Sequence, residues 1–439
     1  PNIRTLVAEP SSTVPTAMTA LPTRSNGSLD RESTMKTKTT LACGSALGAL
    51  AALTLASGAV AQETSTSWKG APQFQNDTLT FKVRGRVYLD GVNQEVDREA
   101  GADFSSQVTR TRTARLGVEG SWNYNFAYKA ELQLVGGSAA WEDLILEYKP
   151  NDTTSIMVGN FKTVSLENIT SSRYTTFMER GAYNDLIDGG RVMNIAGKIN
   201  GETWTLLAGL SGDSINDPDP TVAGNDGGSE SVAVVARGTW SPLVTDTQAV
   251  HLGLWGRKRD RGDKAGFAYQ VRNNSNYGAR YTASGAIGDA DTAIGLEAAW
   301  LAGPFSLQGE WANIEIDRTN GLEQSARGYY AAASWFVTGE SRNLEAKKGE
   351  FGRTKILNPV TAGGPGAIEL AVRYDNTDLT DITGVSTAGE YSAWTLGANW
   401  YPFPYVRFMA NYTKAQNDNP AVGADVDVDT LQFRAQFDF

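Results

Sequence analysis

Residues Thr430 to Phe439 read TLQFRAQFDF and sort into two faces. Leu431, Phe433, Ala435, Phe437 and Phe439 fall on one side of an extended chain, and Thr430, Gln432, Arg434, Gln436 and Asp438 on the other, because successive side chains of a strand point in opposite directions. An apolar face that closes on an aromatic, backed by a polar face carrying a guanidinium, suits a barrel wall between hydrocarbon and a wet lumen. The edge strand of a soluble sandwich would satisfy the same alternation. The compartment therefore has to be read elsewhere in the chain.

Lys36 and Lys38 follow Met35 and precede a run from Leu41 to Ala61, rich in Leu, Ala, Gly and Val, that stops at Ala59-Val60-Ala61. A short basic region, an apolar run of small residues and an A-x-A site read as a secretory signal peptide. Residues 35–61 are thus expected to be removed, residues 62–439 to form an outer-membrane β-barrel domain, and the Pro-, Ser- and Thr-containing residues 1–34 to be a non-native N-terminal extension. The single cysteine, Cys43, lies inside the signal segment, so residues 62–439 have neither a disulfide framework nor a thiol nucleophile. Acylation at Leu41-Ala42-Cys43-Gly44 is not expected, since Cys43 falls only eight residues past Met35, too early for an apolar run to stand before it. The chain carries 39 Lys and Arg against 49 Asp and Glu, and residues 62–439 keep 34 and 46 of these. That balance makes nucleic acid an unsuitable partner.

Alternation recurs along the rest of the chain, interrupted by turn residues. It predicts strands at 79–90, 110–121, 125–136, 140–149, 153–161, 190–200, 202–212, 230–240, 247–258, 290–301, 304–316, 324–339, 366–376, 390–401, 404–416 and 428–439. About sixteen strands, an even number, is what a closed antiparallel transmembrane barrel requires. Connectors such as Asn123-Tyr124, Asn200-Gly201, Ala302-Gly303 and Pro402-Phe403 are short, and those between them are mostly long and polar. The expectation is periplasmic turns at one end and extracellular loops at the other. Residues 340–365 break this pattern with a long connector where a turn is due, and read either as a periplasmic insertion or as a miscount of strands. Tyr88, Trp122, Tyr124, Tyr148, Trp240, Trp335, Trp400, Tyr401 and Tyr405 sit near strand ends and are expected to form aromatic girdles.

The first strand places Leu79, Phe81, Val83, Val87 and Leu89 on one face and Lys82, Arg84, Arg86 and Tyr88 on the other. A charge on the lipid face costs about 2 to 4 kcal/mol at mid-bilayer, so the cations are assigned to the lumen. Arg257, Arg259 and Arg261 follow Leu252 and Leu254 with the opposite parity and predict a second basic track along the lumen wall. Overall acidity does not oppose anion passage. Loop carboxylates beyond a Debye length of about 8 Å are screened, while a guanidinium roughly 4 Å from an anion contributes about 4 kcal/mol at an effective dielectric near 20. Asp213, Asp217, Asp219 and Asp226 lack the ligand spacing of an EF-hand loop, and no metal or other cofactor is expected.

The most distinctive stretch comprises Val158-Gly159-Asn160-Phe161-Lys162, then Ser165-Leu166-Glu167, then Ser171 to Arg180 (SSRYTTFMER). With Arg110 to Gly120 (RTRTARLGVEG) and Thr338 to Arg342 (TGESR), it resembles the phosphate-selective porin O and P family over essentially all of 62–439. The resemblance implies a sixteen-stranded barrel assembled as a homotrimer, with loops folded into the lumen and an arginine ladder leading anions to a constriction. Carried over by position, Ser171, Ser172 and Arg180 belong to that constriction and Arg112 contributes from the wall. The match is incomplete: Asn168 stands where a loop lysine is implied, and Thr113 interrupts a pair of arginines beside Arg112. Outer-membrane barrels, which this chain resembles, commonly end in phenylalanine, so the barrel assembly machinery, together with outer-membrane lipid and lipopolysaccharide, is an expected partner.

Three functions compete. The first is an outer-membrane porin for passive diffusion of inorganic anions, phosphate or polyphosphate. The second is a general small-solute porin of the same fold without strict phosphate specificity, to which Asn168 and Thr113 point. The third is a membrane-embedded hydrolase, which would need the only histidine, His251, as its base. No serine adjoins His251 in sequence, so the chain is not expected to be an enzyme.

Overall fold

The structure, a computed structural model, describes residues 65–68, 70–123, 125–218, 227–419 and 425–439. Residues 1–34, the signal-like segment 35–61 with Cys43, and Tyr124, Asp219 and Asp226 lie outside the described residues.

Sixteen strands form one closed antiparallel ring. In chain order they are β1 (Leu79–Arg98), β2 (Phe104–Trp122), β3 (Phe126–Gln133), β4 (Ala140–Asn151), β5 (Thr154–Phe161), β6 (Val192–Asn200), β7 (Trp204–Ser211), β8 (Val232–Val244), β9 (Gln248–Asp260), β10 (Ala283–Ala302), β11 (Phe305–Arg318), β12 (Glu323–Phe336), β13 (Ala367–Asp378), β14 (Glu390–Phe403), β15 (Val406–Asp418) and β16 (Val426–Asp438). Each strand pairs with its sequence neighbours, and β16 closes on β1 with Phe433 opposite Gly91 and Asp438 opposite Arg86. Every predicted strand has one observed counterpart.

Lipid and lumen select opposite faces, as the alternation requires. On β16, Phe433 is 54% exposed on the outer wall, while the neighbouring Arg434 is 4% exposed inside. Trp122, Tyr148, Trp240, Trp335 and Trp400 lie on the outer surface near the turn end, joined there by Trp204 and Trp300. Tyr88 departs from the expected girdle. Its parity is that of Arg84 and Arg86, so it is buried inside with its hydroxyl 3.3 Å from Ser172 Oγ. Tyr401 and Tyr405 also leave the girdle, Tyr401 by donating to Glu369 and Tyr405 by lining the lumen cavity.

Toward the loop end the chemistry of the two faces inverts. Val92 and Val96 on β1, Ile314 and Ile316 on β11, and Val426 and Val428 on β16 point inward and are buried. All of these except Val92 join Tyr269, Val271, Leu379, Ile382 and Tyr391 in an apolar core inside the barrel. Glu95, Asp97, Glu315 and Asp427 take the outer positions. Above the lipid band water lies outside and packed loops lie inside. The favourable partition of apolar groups reverses accordingly. The lipid-facing pattern therefore ends at Asp90, whereas β1, paired with β16 and β2, runs on to Arg98.

Turns at Asn123, 152–153, 201–203, 245–247, 303–304 and 404–405 mark one end of the barrel. Asn123 adopts φ 47° in the first of these, a left-handed conformation that Asn tolerates. The 337–366 connector belongs to this same end, so the strand count stands and the segment is an insertion. It carries a two-stranded hairpin, Asn343–Glu345 with Glu350–Gly352, that turns into the lumen. Leu344 and Phe351 of the hairpin pack with Leu166, Ala249, Ala299 and Leu301. From the loop end, residues 162–191 (loop L3) and 261–282 (loop L5) also turn inward, L3 containing the short helices α1 (Leu166–Ile169) and α2 (Ala182–Leu186).

Closure rests on the last residues. Gly85 and Phe439 exchange both backbone hydrogen bonds at 3.0 Å, and Phe437 pairs with Val87 on one side and Val406 on the other. Deleting 437–439 is expected to reduce assembled, heat-modifiable barrel at least about tenfold on semi-native gels, since edge groups left unpaired in lipid cost several kcal/mol each. Normal abundance of that species would overturn the closure assigned to this strand.

Candidate functional site

A loop buried inside a barrel brings its carbonyl groups with it, and each needs a donor. The wall supplies guanidinium and amide groups. Arg407 Nη1 donates to Thr175 O at 2.6 Å, Asn399 Nδ2 to Thr176 O at 2.8 Å, Arg434 Nη1 to Met178 O at 2.5 Å, and Arg373 Nη1 to Glu179 O at 3.1 Å. At the start of the loop Glu310 accepts the backbone N–H groups of Leu166 and Glu167 at 2.9 and 2.7 Å. Phe351 N–H of the inserted hairpin donates to Thr170 Oγ1 at 3.2 Å, and Arg237 Nη2 donates to Gly349 O at 2.8 Å. The two inward segments are therefore fixed to the wall and to each other.

Between L3 and the turn end lies a cavity of about 850 Å³. Among the described residues fifteen Lys and Arg line it against six Asp and Glu, in a chain whose net charge is −10. Lys82, Arg84 and Arg86 climb β1 at alternate positions, a rise of about 13 Å over four residues. At the top of this ladder Arg86 Nη1 donates to Ser172 Oγ at 3.0 Å and Ser171 Oγ at 3.3 Å. Most of the lining cations have a carboxylate partner: Arg191 pairs with Glu142 and Asp143, and Lys129 with Asp143. Among the described residues Lys82, Lys162, Arg180 and Lys198 line the cavity without a carboxylate within ion-pair distance. Lys162 Nζ instead donates to Asn168 Oδ1 at 2.7 Å. Burial, with Arg180 and Arg191 nearby, holds its ammonium well below the ordinary lysine range.

The structure brings six of the expected site residues to this one cavity: Lys82, Arg84, Arg86, Ser171, Ser172 and Arg180. Arg180 turns back on its own loop, donating Nε to Glu167 O at 2.8 Å and Nη2 to Thr170 O at 2.5 Å. Arg112 does not line the cavity. It is held in a two-pronged pair with Glu179 at 2.9 Å for each bond, so its charge fastens L3 to β2. The expected track at Arg257, Arg259 and Arg261 also lies outside the cavity lining. Arg257 donates to Ile187 O at 2.8 Å, Arg259 pairs with Asp291 at 2.7 Å and Asp188 at 2.8 Å beneath the Phe267 ring, and Arg261 pairs with Asp289. Strand parity placed these three inward, but carboxylates on β10 and L3 and the inward loop L5 occupy the space in front of them.

Several lining cations escaped the sequence, among them Arg115, Arg173, Arg191 and Lys198. Arg115 is instructive. Between Tyr88 opposite Thr113 and Leu89 opposite Thr111 the pairing skips Arg112, a β-bulge that switches parity and turns Thr113 and Arg115 inward. The spacing Arg110, Arg112, Arg115 carries that break in alternation.

His251 sits between Ser241 Oγ, 3.5 Å from Nδ1, and Glu297 Oε2, 3.2 Å from Nε2. The order imitates a nucleophile relay. Ser241 is 1% exposed and lines no part of the cavity, and Glu297 is held by both arms of Arg237 at 2.7 Å, so the group packs the wall.

The model of the family described as phosphate-selective porin O and P matches residues 81–439. An uncharacterized protein of Caulobacter vibrioides is 31% identical over 394 residues, covering 86% of this chain and 77% of that one. Porin O of Pseudomonas aeruginosa is 26% identical over 400 residues, covering 82% and 89%. In fold, the outer membrane channel DcaP of Acinetobacter baumannii aligns with a TM-score of 0.52 at 11% identity over 83% of this chain and 99% of its own, and OmpT, an outer membrane protein of Vibrio cholerae, with 0.51 at 14% over 83% and 99%. With a family match that runs from the first barrel strand to Phe439, the chain belongs to the phosphate-selective porin O and P family and is a β-barrel porin of the bacterial outer membrane.

Proposed function

We propose that this porin passes small inorganic anions, phosphate and polyphosphate among them, by passive diffusion. The observation that carries the reading is the excess of cations around the lumen cavity in an acidic chain. A permeating anion responds to charges within a few ångströms, and a single lining guanidinium at roughly 4 Å outweighs screened carboxylates on distant loops. The hydroxyls of Ser171 and Ser172, whose oxygens accept from Arg86 Nη1, keep their O–H groups as directed donors, backed by the Arg86 charge, to replace the hydration a phosphate loses on entering. Export by the 35–61 segment, a barrel domain spanning 62–439, assembly as a homotrimer, contact with lipopolysaccharide and recognition by the barrel assembly machinery belong to the same proposal. No catalytic role is assigned, because Ser241 offers no route to a substrate.

A general small-solute porin is the second reading. Lys162 is engaged by Asn168 and two donors of Arg180 are bound to loop carbonyls, which leaves fewer free donors for a strict phosphate site.

In planar bilayers, millimolar phosphate is expected to reduce chloride conductance of the parent channel. Ser171→Ala with Ser172→Ala should raise the half-blocking concentration roughly tenfold, the loss of about one net hydrogen bond to a charged group. Chloride conductance indifferent to phosphate in the parent would favour the general porin.

The pH dependence follows from Lys162. Deprotonation removes a lumen charge, so anion preference is expected to fall as pH rises through a range below that of ordinary lysines. Reversal potentials across a chloride gradient check this, and Lys162→Met should flatten that part of the profile. An identical pH profile in Lys162→Met would remove this lysine from the path.

A further inference from the structure

Glu131, two residues before the end of β3, is 0% exposed and does not line the cavity, yet it sits behind four of the lining arginines. Its Oε1 accepts from Arg86 Nη2 at 2.8 Å and Arg115 Nη1 at 3.2 Å. Its Oε2 accepts from Arg84 Nε at 3.1 Å and again from Arg86 Nη2 at 3.0 Å, with Arg173 Nη2 3.9 Å away. One carboxylate thus gathers guanidinium groups from β1, β2 and L3. The backbones are close: a Cβ at Gly117 of β2 would stand 2.8 Å from Glu131 Cα, so only glycine permits this approach.

The four arginines are not equivalent. Arg84 also pairs with Glu119, Arg115 also with Glu142, and Arg173 lies 3.9 Å from Asp438. Among the described residues Arg86 has Glu131 alone as a carboxylate partner. The same Arg86 sends its other terminal nitrogen to Ser171 and Ser172, and its Nε is buried without a hydrogen-bond partner. The carboxylate therefore does two things to one guanidinium. It fixes the plane so that Nη1 faces the hydroxyl pair, and it cancels part of the charge an anion meets there.

We propose that Glu131 is a positioning residue that sets how tightly the lumen holds a permeating anion, acting through Arg86. The proposal rests on the anion-channel reading above. With the carboxylate in place an anion is attracted yet released. Without it, Arg86 keeps its full charge in a site of low dielectric, and anions bind more tightly and leave more slowly. Conduction requires binding weak enough for exit, so affinity and throughput should move in opposite directions.

The test is single-channel conductance against chloride concentration, with sodium phosphate as a second probe. For Glu131→Gln the half-saturating chloride is expected to fall about tenfold while maximal conductance falls at least about threefold, a split that loss of barrel alone would not produce. Glu131→Asp, which retains the charge, should restore half-saturation to within about twofold of the parent. If Glu131→Gln does not assemble, Arg115→Gln tests the same balance from the other side and should raise half-saturation several-fold. A parent channel that saturates with chloride, beside a Glu131→Gln or Arg115→Gln curve of unchanged half-saturation, overturns the proposal alone. A parent channel without anion preference overturns the underlying reading and this proposal with it.

Discussion

The carbonyl groups of a loop drawn into a barrel impose the constraint from which much else in this molecule follows. They are out of reach of bulk water, and leaving one unpaired costs about 1 to 3 kcal/mol. The wall meets them with arginine, a side chain long enough to cross to the loop and with enough N–H groups to serve a carbonyl and a carboxylate together. Arg434 shows the economy of this arrangement: it binds Met178 O on L3, Glu179 on L3 and Asp90 on β1. Arg373 likewise spans Asp375, Glu167 and Glu179 O. Many of the arginines in the lumen are thus structural, and the electrostatic path is made by those the loop does not use up.

That division resolves an apparent conflict between an acidic chain and a cationic cavity. Acidic residues are placed on the outer rim, where water solvates them, and behind inner arginines, where they orient charge. Among the described residues Lys82, Lys162, Arg180 and Lys198 line the cavity without a carboxylate partner. The inverted upper barrel contributes as well. Its apolar core holds L3 and L5 as packed bodies, so the charged lining below has a rigid backing.

Much of the fold was legible because lipid and water impose a period of two on every membrane-crossing segment. All sixteen strands could be read from that period, and so could the inward parity of Lys82, Arg84 and Arg86. Strand ends were harder, since beyond the lipid band the inner face becomes apolar and the signal reverses, as at Val92 and Val96. The site was legible in part. Ser171, Ser172 and Arg180 reach the cavity, while Arg112, Arg257, Arg259 and Arg261 obey parity and yet are taken by Glu179, Ile187 O, Asp291, Asp188 and Asp289. Parity says which way a side chain points. It does not say which distant carboxylate, brought near by closure of the ring, already occupies that space. The bulge at Arg112 hid Arg115 for a local reason, one extra residue that exchanges inside for outside.

The seam between β1 and β16 carries a consequence for how the molecule is built. Arg434 on β16, Asp90 on β1 and Glu179 on L3 share one buried network, although β1, L3 and β16 are made at the beginning, middle and end of the chain. An open ring would leave these ions unmatched in a poorly solvating environment. A closed ring without its loop would leave Arg434 half matched. Loop docking and ring closure therefore complete one and the same buried network, and neither alone satisfies Arg434.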